Sequence, residues 1–157
     1  MGVHAEQRVL PHSRDKIFDM VADVGRYPEF LPWCLAARIR EKTDDHLVAD
    51  LVIGFKMVRE RFTSRVHLRR PEEIHVEYVE GPLRYLNNRW IFTDHPDGTL
   101  VDFSVDYEFR SRVLQNLIGG LFHQAYKKIV SAFEKRADAL YTVESRAVEL
   151  SVRSGSD

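Results

Sequence analysis

The sequence is short of most features that announce a chemistry. It has a single cysteine, Cys34, so it can form neither an internal disulfide nor a cysteine-cluster metal site, and a reducing compartment suits it. No apolar run approaches the ~20 residues needed to cross a bilayer. The N-terminus shows neither a basic flank leading into an apolar stretch nor an Arg- and Ser-rich segment, so a cytoplasmic protein is expected. Charge of one sign is missing as well. The 23 Lys and Arg against 24 Asp and Glu leave a formal net charge of −1, which gives nucleic acid no bulk electrostatic reason to bind. Seven histidines are scattered with no metal-ligand spacing, so no metal is expected. No Gly-rich loop links a strand to a helix, which removes the usual nucleotide cradles. The 157 residues, 44% hydrophobic and 30% charged, suit one domain with a real core rather than a disordered chain.

What is present is periodicity. From about Arg112 to Tyr141, Leu114, Leu117, Ile118, Leu121, Ala125, Ile129, Ala132, Phe133, Ala137 and Leu140 recur in steps of three and four, the stripe of an amphipathic helix. Asn116, His123, Lys127, Glu134 and Asp138 take the wet side, and Ser111 is placed to cap the first turn. Thirty residues make a rod of about 45 Å, whose stripe needs a large apolar partner. Gly119 and Gly120 are costly inside it; the pair leaves room for a ligand, allows close approach of a sheet, or lets the helix bend or break.

The rest of the chain supplies the partner. A strand is expected from Val3 to Leu10, then a short helix capped by Ser13 and carrying Ile17, Phe18, Val21 and Val24, with Gly25 in the left-handed position after it. Pro28 and Pro32 limit Tyr27–Trp33 to one turn, too short to turn all its large apolar side chains inward. Then the period becomes two. Six antiparallel strands are expected, the first near Ala36–Arg40. The inward sets are Leu47, Ala49, Leu51, Ile53 and Phe55; Val58, Phe62, Ser64, Val66 and Leu68; Ile74, Val76 and Tyr78; Leu86, Asn88, Trp90 and Phe92; and Val101, Phe103, Val105, Tyr107 and Phe109. Turn signals at Thr43-Asp44-Asp45, Pro71-Glu72, Gly81-Pro82 and Asp97-Gly98 make neighbouring strands hairpins. The expectation is an α+β domain over residues 1–141, a curved antiparallel sheet of about seven strands around the long helix, with a flexible tail over 142–157.

Candidate catalytic groups are few. His67 and His75 face each other across one hairpin but on the wet side, and Cys34 has no base partner, so two surface histidines and a small buried hydrophobe are expected. Arg59, Arg61, Arg65, Arg69 and Arg70 suggest a patch for RNA, ribosome or anionic lipid. Pairing of Arg65 with Glu77, Arg69 with Glu73 and Arg89 with Asp106 favours a solvated face instead. Glu60 and Asn88 share the parity of apolar neighbours, so each belongs to an internal polar network, to an edge, or to a ligand pocket lined by Phe62, Trp90, Phe92, Phe103 and Tyr107.

Four stretches carry a likeness: Phe18–Cys34, with YPEFLPWC as its specific part; Glu60–Val66; Gly81–Leu83 leading to Leu86–Trp90; and Val130–Ala137. Together they resemble the coenzyme Q-binding protein family of the START-like, polyketide cyclase superfamily, over about Val3 to Leu140. The resemblance implies a helix-grip fold and an apolar tunnel holding ubiquinone or a related isoprenoid quinone as ligand, with no cofactor and no catalysis, in support of respiration or quinone biosynthesis in a bacterial cell. Leu117, Leu121, Ala125 and Ile129 would then form the helix wall of the tunnel. Tyr27, Pro28, Phe30, Leu31 and Trp33 would form a lid touching the inner membrane, or else a plug at the end of the core. Ribosome-association toxins look similar, so a translation inhibitor on the large subunit is the alternative; an aromatase or cyclase is the weaker one.

Overall fold

The computed structural model describes residues 2–55 and 57–155, the side chains of 55 and 142–155 excepted. The period-two segments are strands β1 (Gly2–Leu10), β2 (Cys34–Lys42), β3 (His46–Phe55), β4 (Val58–Arg69), β5 (Glu73–Glu80), β6 (Leu83–His95) and β7 (Gly98–Phe109). Helix α1 (Arg14–Ala22) and a 3-10 helix (Val24–Glu29) separate β1 from β2, and α2 (Arg112–Gly155) follows β7. The seven strands form one antiparallel sheet in the order β1-β7-β6-β5-β4-β3-β2. Short turns join β2 to β7 as a meander, and β1 adds to its far edge beside β7. At the β6–β7 turn, a Cβ on Gly98 would lie 2.1 Å from the Leu10 carbonyl oxygen, and its φ is +138°, so only glycine fits.

The inward parity holds on β3 to β7 over the described side chains, and the face it forms packs on α2. Helix and sheet are also pinned by polar contacts. Arg8 on β1 donates to Ser131 Oγ at 2.8 Å and to Glu134 at 3.3 Å, while His12 and Asp138 lie 2.7 Å apart. Glu134 and Asp138, expected on the wet side, thus tie α2 to the β1 end of the sheet.

Three local expectations change. Ser111 caps α2 as expected, accepting from the Leu114 N–H at 3.1 Å. Ser13 stands at the N-cap of α1 with extended backbone but makes no side-chain cap; its carbonyl accepts the Ile17 N–H instead. Gly25 is not left-handed, because the chain passes from α1 directly into the 3-10 helix that contains it. Nor does α2 end at Tyr141: its backbone stays helical to Gly155, and residues 156 and 157 of the expected tail lie outside the described residues.

Helix α2 also runs unbroken through Gly119-Gly120. A Cβ on Gly120 would meet nothing within 4 Å, and on Gly119 only Gln115 Cγ at 3.5 Å and Phe109 Cε2 at 3.9 Å. Neither close sheet approach nor cavity lining explains the pair. Its effect is a softer helix, so Gly120→Ala should raise stability by about 0.5–1 kcal/mol. A urea midpoint that falls instead would show a tertiary need for glycine there.

One charge is buried on the outer face. Asp50, 6% exposed, accepts from Thr63 Oγ1 at 2.6 Å and Arg40 Nε at 2.7 Å. Burial pushes its carboxyl up, but the Thr63 hydroxyl and the Arg40 guanidinium outweigh burial and hold it below the usual range. A folded pKa below the unfolded one adds stability that is complete above the unfolded value of about 4. That stability is lost as pH falls through the folded value. Asp50→Asn should therefore cost about 1–3 kcal/mol at neutral pH and flatten the acid-side loss of stability. Parallel stability–pH curves for variant and parent would refute this account.

Candidate functional site

Between the concave face and α2 lies a partly open cavity of about 130 Å³. Its floor is built by strand parity: Ala49, Leu51 and Ile53 from β3, Phe62, Ser64 and Val66 from β4, Ile74 and Val76 from β5, and Leu86, Asn88 and Trp90 from β6. Its roof is one face of α2, with Leu121, Phe122, Ala125, Tyr126, Ile129 and Phe133. Val24, Tyr27, Leu31, Trp33 and Cys34 close one side.

Of the residues expected to line a pocket, Phe62, Asn88, Trp90, Leu121, Ala125 and Ile129 do so. Phe92, Phe103 and Tyr107 do not; they are buried in solid core, where Phe103 packs edge-on against Trp90 at 4.7 Å and Tyr107 lies 5.2 Å from Phe122. Glu60 lies outside the cavity, half-exposed beside the β3–β4 turn, where inward parity points past the cover of α2. Leu117 is 62% exposed and faces away from the sheet. The buried face of α2 instead runs Ile118, Phe122, Tyr126, Val130, Phe133 and Ala137. Each residue turns about 100° around a helix, so a face shifted by one position exchanges Leu117 for Phe122 and Tyr126. The i, i+4 series Ile118-Phe122-Tyr126-Val130 was the signal in the sequence that marks the true face. Ser64, which the alternation marks only as one of an inward set, is a polar cavity residue that period alone does not single out.

The Tyr27–Trp33 turn does turn its apolar groups inward. Leu31 is buried, Tyr27 and Trp33 reach the cavity, and the Tyr27 hydroxyl donates to the Val21 carbonyl. Phe30 packs edge-on against Phe133 at 5.0 Å with the Arg136 guanidinium over its ring, and Pro28 is half-buried inside the 3-10 helix. None of these five is among the exposed large hydrophobic residues, and in this structure the turn closes one side of the site. The 3-10 helix makes this possible, since it starts at Val24 and gives the segment more than the single turn that the two prolines suggested.

The lining carries no Asp, Glu, Lys, Arg or His. Burial pushes the Cys34 thiol up to about 11, only partly offset by its contact with the Ala36 carbonyl. Burial likewise raises the Tyr126 phenol well above its usual range, with Tyr107 nearby adding to the effect. Both are neutral at pH 7. Two polar side chains are placed deep in this surface. Asn88, 8% exposed, donates from Nδ2 to the Ser104 carbonyl at 2.8 Å, which leaves Oδ1 unpaired. Ser64, also 8% exposed, makes no side-chain hydrogen bond among the described residues.

The outer face differs from the sequence reading at its ion pairs. Arg69 reaches Glu73 at 3.5 Å, as expected. Arg65 is opposite Glu77 in register, but Glu77 is taken by His67 at 2.7 Å. Arg89 is opposite Ser104 rather than Asp106 and pairs with Glu73 at 3.1 Å. His67 and His75 stack at 5.9 Å, and His75 meets Asn87 at 2.9 Å. Arg38, Arg59, Arg61 and Arg65 are exposed and form no hydrogen bond or ion pair among the described residues.

Known proteins resemble this arrangement. Residues 10–134 match the family model described as polyketide cyclase / dehydrase and lipid transport. The chain is 38% identical over 134 residues to ribosome association toxin RatA of Rickettsia prowazekii, covering 83% of this chain and 92% of that protein. It is 32% identical over 143 residues to coenzyme Q-binding protein COQ10 homolog B, a mitochondrial protein of Xenopus laevis, covering 88% of this chain and 59% of the other. The solution structure of an 18 kDa protein of Caulobacter crescentus superimposes with a TM-score of 0.71 at 33% identity, over 90% of this chain and 99% of that one.

Proposed function

Because the chain belongs to the START-like polyketide cyclase / dehydrase and lipid transport family, we propose that it binds ubiquinone or a related isoprenoid quinone in the cavity under α2, as a carrier or chaperone. The observation that supports this reading best is an apolar cavity whose lining holds no charged residue. Such a surface suits a neutral, water-insoluble molecule and penalises any ligand that brings a charge without a partner. The likeness to a coenzyme Q-binding protein supports the quinone specifically. Catalysis is not part of the proposal. A cyclase needs a group that exchanges protons near neutral pH, and the ionisable lining groups, Cys34 and the tyrosines, are held neutral by burial. No described helix is long and apolar enough to cross a membrane, so exchange with a bilayer-resident quinone would take place by peripheral contact at the inner membrane.

The test is mass spectrometry of organic extracts from protein purified out of a quinone-making host. A stoichiometric isoprenoid quinone is expected.

A second reading has its own observation. Arg38, Arg59, Arg61 and Arg65 are exposed on the outer face with no direct ion pair among the described residues, and a similar protein is named as a ribosome association toxin. Exposed arginines of this kind suit RNA phosphates. If no lipid co-purifies and the protein sediments with large ribosomal subunits, and Arg59→Glu with Arg61→Glu and Arg65→Glu abolishes that sedimentation, the ribosomal reading replaces the carrier.

A further inference from the structure

The cavity is too small for the whole of a long-tailed quinone and too polar in one place for a tail. Its 130 Å³ is close to the ~150 Å³ of a cavity known to hold one benzene ring, whereas several isoprene units are many times that size. At the same time Ser64, Asn88 and Tyr126 present hydrogen-bonding groups to the cavity that the fold leaves unused: the Ser64 hydroxyl, Asn88 Oδ1 and the Tyr126 hydroxyl. A tail could satisfy none of them, and a buried polar group without a partner is unfavourable. A ring carbonyl could accept from the Ser64 and Tyr126 hydroxyls, and a ring hydroxyl, as in the reduced quinol, could donate to Asn88 Oδ1.

Sheet register places two of these groups at a useful separation. Ser64 on β4 is opposite Tyr78 of β5, and Asn88 on β6 is opposite Val76 of the same strand. The two therefore stand two strand spacings and two residues apart, about 12 Å between backbones, on a face that curves inward. A six-membered ring with an oxygen at each end and a hydrogen bond of about 2.8 Å at each oxygen is long enough to bridge that span. Tyr126 comes down from α2 as the third contact. No charged side chain is available to neutralise a carboxylate or phosphate.

Resting on the quinone reading, we propose that the cavity takes the ring head-first, as a neutral para-oxygenated ring read by Ser64, Asn88 and Tyr126, while the isoprenoid tail stays outside. Fatty acids and phospholipids are excluded by their charge.

Both tryptophans of the chain, Trp33 and Trp90, line the cavity, so intrinsic fluorescence reports its occupancy. The experiment titrates the full chain with tail-less 2,3-dimethoxy-5-methyl-1,4-benzoquinone, with ubiquinone carrying a two-isoprene tail, and with palmitate. The tail-less ring is expected to quench saturably and palmitate not to bind. Ser64→Ala and Tyr126→Phe, each deleting one hydroxyl, should each weaken the ring about tenfold. Binding of the tailed quinone but not the tail-less ring, or unchanged ring affinity in both hydroxyl variants, would overturn the head-first arrangement and leave the carrier reading standing. Failure of both quinones to bind would overturn the two together.

Discussion

Ala125→Phe should leave the protein folded and empty it of lipid. Ala125 is on the roof of the cavity, half-buried, and its methyl group faces space rather than packed neighbours. A phenyl ring is about what a cavity of 130 Å³ holds. Overpacking a filled core costs about 1–3 kcal/mol, but here the added ring enters a void, so the cost falls at or below the lower end. Mass spectrometry of extracted variant protein should show lipid reduced at least about tenfold, a loss of some 1.4 kcal/mol of binding. Circular dichroism and the urea midpoint should be close to those of the parent. A folded variant that still carries the full complement of lipid would place the ligand elsewhere on the molecule.

Phe133→Ala should be the most destabilising single truncation on α2. The ring is 1% exposed and meets three others edge-on, Tyr27 at 5.3 Å, Phe30 at 5.0 Å and Trp90 at 5.1 Å. It is the point where the helix, the plugging turn and the sheet are joined. Removing it costs about 3–5 kcal/mol, a large share of the 5–15 kcal/mol that stabilises a typical domain. The melting temperature should fall by roughly 6–20 °C. The void opens into the cavity, so added quinone should recover part of the loss by binding the native state. A loss below about 1 kcal/mol would show that the turn is held by its backbone and not by this aromatic contact.

The two variants separate ligand space from core, which is where the sequence reading was least exact. Phe62 and Phe103 have the same parity and the same chemistry, yet one lines the cavity and the other is solid core. Alternation states which side of a strand a residue is on. It carries no information on whether the helix above fills the space, because that depends on which side chains of α2 lie over each strand. Glu60 shows the same limit near a strand end, where it has inward parity yet is half-exposed and outside the cavity. Ion pairs were legible only as far as register: Arg65 does stand opposite Glu77, but a histidine two residues along the same strand takes the carboxylate.

The strand faces, the hairpin turns, the long helix and the order that makes them an antiparallel sheet around it are all legible in the chain's pattern. These follow from periods of two and 3.6 and from turn chemistry, which are local properties of the chain. Only the tertiary structure decided which face of α2 meets the sheet, that the Tyr27–Trp33 turn folds inward, and that Ser64, Asn88 and Tyr126 share one cavity. Those outcomes depend on volumes filled by residues from seven elements at once. Packing is a many-body property, and no stretch of sequence contains it.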